Sequence, residues 1–254
     1  MNINYYKKID PYSLSGENKI KFFEKEINLL TVYHYNNSRE YRKILNFLGY
    51  DLKKKKLSGI PFLPAKLFKK FDLLSITKKK IFKTLVSSGT TGSTPSKIYL
   101  DKENAYNQVL VLSKIMTNLL GKNRLPMLII DQNPKLKNKT FFNARSAAIY
   151  GFSIFGSNHT YLLNEEGKID YLLLNDFLKK FASKKFFIFG FTSFIYENLI
   201  KNLSTKSINS NFENGILLHG GGWKKMEKIK ITNDIFKKKL IDNIKLKNIY
   251  NYYG

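Results

Sequence analysis

From Lys83 onward, short apolar runs alternate with longer stretches of helical periodicity, and this alternation constrains the fold more than any other feature. The apolar runs fall at residues 98–100, 126–130, 160–163, 186–189, 216–219 and 248–250. Between them lie helix-like stretches at 103–120, 141–150, 169–181, 193–203 and 234–244. The clearest helix carries Ile169, Leu172, Leu173, Phe177 and Phe181 at three- and four-residue spacing, which predicts one buried stripe. Strands that alternate with helices predict an α/β fold built on a mostly parallel sheet. In such folds the functional loops lie at the carboxyl ends of the strands.

The residues before this region read differently. Ile20, Phe23, Ile27 and Leu30 form a helical stripe, and Tyr41, Ile44, Leu45 and Leu48 form another behind a candidate N-cap, Ser38. Pro61 and Pro64 then impose an extended link, and Phe68 and Phe71 follow on a short helix. The expected organisation is a mostly helical lead-in over residues 1–82 and an α/β part over 83–254.

The run Ser87-Ser88-Gly89-Thr90-Thr91-Gly92-Ser93-Thr94-Pro95-Ser96-Lys97 stands between an apolar segment at 82–86 and Ile98. Its hydroxyls and backbone N–H groups lie close together, and Gly89 and Gly92 let the backbone approach an anion. Lys97 adds a full positive charge. This is a cradle for nucleotide phosphates, with a solvated Ser/Thr turn as the plain alternative. It is not a Walker A loop, because Ser96 rather than glycine precedes Lys97.

Composition narrows the field. The net charge is +25, yet only four of the 44 basic residues are arginine (Arg39, Arg42, Arg124 and Arg145). Base-edge and phosphate readers lean on the arginine fork, so scattered lysine favours a solvated surface over a specific nucleic-acid footprint. A lysine-rich polyanion binder remains a third-ranked alternative. The chain has no cysteine, which removes disulfides, thiolate metal sites and an internal catalytic thiol from these residues. His34 and His159 have no partners at ligand spacing, so no metal cluster is expected. No apolar run reaches the ~20 residues that cross a bilayer, and the N-terminus lacks a secretory h-region. A cytoplasmic location is expected.

The phosphate loop resembles the signature of the adenylate-forming superfamily of acyl-CoA synthetases and their relatives. Three further segments narrow the resemblance to the acyl-protein synthetases of the LuxE type. They are Ile60-Pro61-Phe62-Leu63-Pro64, Gly190-Phe191-Thr192-Ser193-Phe194-Ile195-Tyr196 and Leu217-Leu218-His219-Gly220-Gly221-Gly222-Trp223. The resemblance covers residues 60–254 in the family's order.

It implies ATP-dependent activation of a carboxylic acid, of the fatty class, as an acyl-adenylate. The acyl group then passes to a thiol, either a protein cysteine or coenzyme A, and onward to a reductase or acyl-transfer subunit. ATP and Mg2+ are the implied cofactors. Ser88, Gly89, Thr90, Thr91, Gly92 and Lys97 would hold phosphates, with Thr90, Lys97 and His219 as catalytic candidates. Gly220, Gly221, Gly222 and Tyr253 would frame adenine. Trp223 would stack on a ligand or serve as a buried structural residue. Tyr253-Gly254 matches the start of a motif that continues in the family to a magnesium-binding glutamate. On this resemblance the chain is expected to be truncated at its C-terminus, without the mobile C-terminal subdomain. The alternative function is a split-gene nucleotide-binding fragment that needs a second polypeptide.

Overall fold

Leu125–Gln132 (β3) is the strand around which the larger sheet is built, and its four residues Met127 to Ile130 have no solvent exposure. The structure is a computed structural model that describes residues 10, 12–53, 56–60, 62–86, 94–133, 144–203, 211–223 and 231–252. It divides into two compact units, Met1–Met116 and Thr117–Gly254.

In the first unit, Gly16–Asn37 (α1) and Arg39–Phe47 (α2) are joined at Ser38, whose hydroxyl accepts from the Tyr41 N–H at 3.4 Å. The expected N-cap is therefore in place. The expected stripe on α1 is less buried than its spacing implies, since Ile20 and Phe23 are exposed. A short helix, Leu67–Lys70 (α3), follows the Pro64 corner. Lys83–Val86 (β1) and Lys97–Leu100 (β2) then pair antiparallel as a separate two-stranded sheet. The 97–100 segment, expected beside the parallel strands, instead turns back on its immediate neighbour. Helix Lys102–Leu120 (α4) carries the boundary between the units.

In the second unit, Gly156–Leu163 (β4), Phe186–Phe191 (β5), Gly215–Gly220 (β6) and Asn248–Tyr252 (β7) join β3 in a five-stranded sheet of order β4-β3-β5-β6-β7. Every pairing in it is parallel. Ala144–Ser153 (α5) connects β3 to β4, and Tyr171–Phe181 (α6) connects β4 to β5. Asn233–Ile244 (α8) connects β6 to β7. The sheet is thus the mostly parallel one that the alternation predicts.

Both faces of the sheet are covered, which explains why its strands are apolar runs rather than alternating ones. On one face Leu128, Ile130, Phe186, Ile188, Leu217 and Ile249 pack against Leu174 and Phe177 of α6 and Phe236, Leu240 and Ile244 of α8. On the other face Phe189 meets Phe152 of α5, with ring centroids 4.7 Å apart. The predicted stripe on α6 is rotated. Leu172 and Leu173 are exposed, whereas Leu174, Phe177 and Leu178 are buried. The reason is the cap. Asp170 accepts from the Leu173 N–H at 3.0 Å, so Ile169 lies outside the helix and shares none of its periodicity.

The segment expected as one helix over 193–203 divides into Thr192–Ile195 (α7) and a π-helical run, Tyr196–Asn202. Amides of Asn198 and Asn243 donate to the carbonyls of Phe194 (2.9 Å) and Ile200 (3.2 Å), which satisfies acceptors in the widened turns. Such turns recur at functional sites.

Strand order also sets where a ligand can sit. The chain leaves β3 for β4 on one side, then crosses back to place β5 on the other. The β3/β5 border is therefore a topological switch point. In open parallel sheets ligands bind in the crevice outside the strand ends at such a point.

Candidate functional site

The phosphate-loop residues Ser88, Gly89, Thr90, Thr91 and Gly92 lie outside the described residues, but both flanks of the loop are described. Val86 and Lys97 are register partners, so Lys97 stands at the mouth of the β1–β2 hairpin, where the loop departs and returns. Its side chain is exposed.

In the second unit, the carboxyl ends of β3, β5, β6 and β7 gather Asp131, Phe191, His219, Gly220 and Tyr252. At Gly190 an added Cβ would come 2.9 Å from Ile130 Cβ and 3.1 Å from Ile195 Cγ1. The absent side chain lets β5 turn directly into α7 and delivers Thr192 to the strand end.

Thr192 and His219, both buried, are joined at 2.9 Å between Oγ1 and Nδ1. The same hydroxyl lies 3.1 Å from the Gly220 carbonyl oxygen. A carbonyl only accepts, so the single hydroxyl proton goes to Gly220 and Nδ1–H of His219 donates to Thr192. His219 is thereby fixed as the Nδ1–H tautomer. Its buried Nε2 has no partner among the described residues.

Protonating His219 would leave a buried N–H without an acceptor. Burial, reinforced by the positive charge of Lys237, lowers its pKa from 6.5 to about 4. At neutral pH His219 is an uncharged positioning group that ties β5 to β6.

The linkage has a definite sign. The unfolded chain binds a proton at His219 near pH 6.5 while the folded chain does not, so stability is full above pH 6.5 and falls toward pH 4. The loss is on the order of 3 kcal/mol, since each tenfold change in proton affinity is worth about 1.4 kcal/mol. Urea titrations across this window should show His219→Gln losing less stability than the parent. Equal slopes would mean that the imidazole is not held neutral.

The three glycines after His219 are not equivalent. A Cβ on Gly220 would enter the Tyr252 ring, 2.7 Å from its Cδ1 and Cζ atoms. Gly221 has a φ of +76°, and its Cβ would meet Phe191 Cδ1 at 2.9 Å. Gly222 has nothing within 4 Å. The bare face of Gly220 is thus filled by the chain's own tyrosine and that of Gly221 by Phe191, and the open space lies at Gly222.

Tyr252, which the sequence does not mark, is held between Phe152 (5.0 Å) and Phe189 (stacked, 6.1 Å). Burial raises its pKa above the ordinary tyrosine value. Its signal in the sequence is parity along β7, two residues from Tyr250 on the same face. Tyr253 lies outside the described residues. Trp223 is a packing residue, edge-on to Tyr196 (5.5 Å) and Phe236 (6.0 Å) against the core.

Comparison with known families decides where the chain belongs. The family model for acyl-protein synthetase, LuxE, matches residues 5–254. The chain belongs to the acyl-protein synthetase (LuxE) family. No curated protein is similar enough to match it. The match takes in both units of this LuxE-family chain, including the N-terminal helices upstream of the first motif that marks the resemblance. Among the described residues, no three His, Cys, Asp or Glu side chains come together to hold a metal ion. No described helix is long and apolar enough to cross a membrane.

Proposed function

We propose that this LuxE-family chain is a cytoplasmic ligase that activates a fatty acid with ATP and passes the acyl group to a thiol. The observation that carries the reading is the exposed glycine edge just beyond the carboxyl end of β6, where Gly222 faces open space. Bare backbone there accommodates a flat base that any side chain would displace. Adenine is assigned to this edge, with Gly220 and Tyr253 beside it. On the family resemblance, phosphate binding is assigned to Ser88, Gly89, Thr90, Thr91, Gly92 and Lys97.

In the first step a carboxylate oxygen forms a bond to the α-phosphorus, and the bond from that phosphorus to the bridging oxygen breaks, releasing pyrophosphate. In the second a thiolate attacks the acyl carbonyl, and AMP leaves with the electron pair of the broken C–O bond. The role of Thr90 and Lys97 is to meet the charge that moves onto pyrophosphate. His219 acts through Thr192, which holds the Gly220 carbonyl and with it the start of the glycine edge. Magnesium would supply charge neutralisation at the phosphates, and the described residues offer no cluster for it. Because the chain has no cysteine, the acceptor thiol is external to these 254 residues, on coenzyme A or on a reductase or acyl-transfer partner.

The same glycine edge and hairpin favour a second reading, a nucleotide-binding polypeptide that turns over only with another chain. Calorimetry with ATP and magnesium, followed by pyrophosphate release with a panel of fatty and aromatic acids, separates the two. Heat and release support the ligase, and heat without release supports the two-chain reading. Absence of both sinks the proposal. Lys97→Ala is expected to lower release by about 100-fold, the scale of losing one charge-stabilising donor.

A further inference from the structure

Arg145 differs from every other basic side chain described at the carboxyl edge of the sheet. It stands in the first turn of α5, its side chain only 27% exposed, with Nε 3.1 Å from Oδ2 of the buried Asp131. The flat guanidinium lies over the Phe194 ring, 4.5 Å from its centroid. Asp131 follows Ile130, which pairs with Gly190 of β5, and Phe194 belongs to α7 directly beyond β5. The cation is therefore seated at the β3/β5 switch point, where an open parallel sheet binds its ligand.

The orientation of the group is what matters. Asp131 engages the Nε side, and Phe194 covers one flat face. The terminal Nη1/Nη2 fork has no partner among the described residues. Arginine keeps its charge at any pH, and its fork matches a carboxylate with two parallel N–H···O bonds. An ion pair that fixes the guanidinium on two sides also lowers the ordering cost of a third contact. The ring that covers it, Phe194, is an apolar surface directly beside the charge. An anionic head beside an apolar wall is the chemistry of a long-chain carboxylate.

We propose that Arg145 is the carboxylate anchor of the acid-binding site, oriented by Asp131 and Phe194. The proposal rests on the acyl-activating reading and adds to it the position of the substrate's head group. Binding of medium- and long-chain fatty acids, each against the matching primary alcohol, tests it by calorimetry beside ATP binding.

The parent should prefer acid over alcohol by about tenfold or more, as a charge-assisted bidentate pair provides. Arg145→Gln should abolish that preference, and Arg145→Lys should retain part of it. ATP affinity should stay unchanged in both. Because Arg145→Gln removes the cation that faces the buried Asp131 carboxylate, the double variant Asp131→Asn/Arg145→Gln supplies a control with neither charge. If that double variant folds and still prefers the acid, the assignment is overturned. If ATP affinity falls instead of acid affinity, the fork serves a phosphate and the carboxylate assignment is likewise overturned. If the parent binds ATP but shows no acid preference, this inference fails while nucleotide binding stands. If it binds neither ligand, the acyl-activating reading fails and takes the inference with it.

Discussion

Truncating Phe186 to alanine is expected to destabilise the second unit by about 3–5 kcal/mol, the range for deleting a fully buried phenylalanine. Phe186 opens β5, has no solvent exposure, and meets Phe177 edge-on at 5.5 Å and Phe212 at 6.1 Å. Those rings come from α6 and from the segment entering β6, so the lost side chain opens a void among three elements rather than at an edge. Interiors of this density relax only partly around a void. Domains have only ~5–15 kcal/mol of total stability, so the variant should unfold at much lower urea than the parent. A measured loss below ~1 kcal/mol would show that the aromatic cluster is loosely packed.

The second large effect is a contrast between two neighbouring glycines. Gly220→Val forces a branched side chain into the Tyr252 ring, which is itself wedged between Phe152 and Phe189. Overpacking of this kind costs about 1–3 kcal/mol. Gly222→Val meets nothing, so its stability should lie within ~0.5 kcal/mol of the parent. Its effect should fall on nucleotide affinity, which should drop by at least about tenfold as a side chain takes the place assigned to the base. Thermal unfolding and ATP calorimetry on the two variants read these effects separately. If Gly222→Val binds ATP like the parent, adenine does not lie on this edge.

The contrast shows what kind of information each level holds. The letters Gly220-Gly221-Gly222 mark a place where side chains are unwelcome, and they mark all three alike. Only the packing reveals that two of them answer to internal neighbours, Tyr252 and Phe191, and that the third faces open space. His219 is similar. The sequence offers a histidine at a strand end, whereas its tautomer and lowered pKa come from a threonine 27 residues away and from burial.

Helix and strand positions were legible because each is a local property of periodicity and capping. Ser38 caps α2, and strands β3 to β7 fall on the apolar runs. The rotated stripe on α6 and the π-helical run escaped, since an N-cap bond and two side-chain amides, not hydrophobic spacing, set them.

For this chain, the amino-acid order alone determined the α/β class, the mostly parallel sheet, and the family that the phosphate loop and the glycine-tryptophan segment point to. Strand order, the β3/β5 switch point and the meeting of Arg145 with Asp131 and Phe194 were decided by the tertiary structure. The reason is physical. Periodicity is written between near neighbours. Which strand lies beside which, and which charge finds which partner, depends on crossovers that bring distant residues together to bury both faces of one sheet.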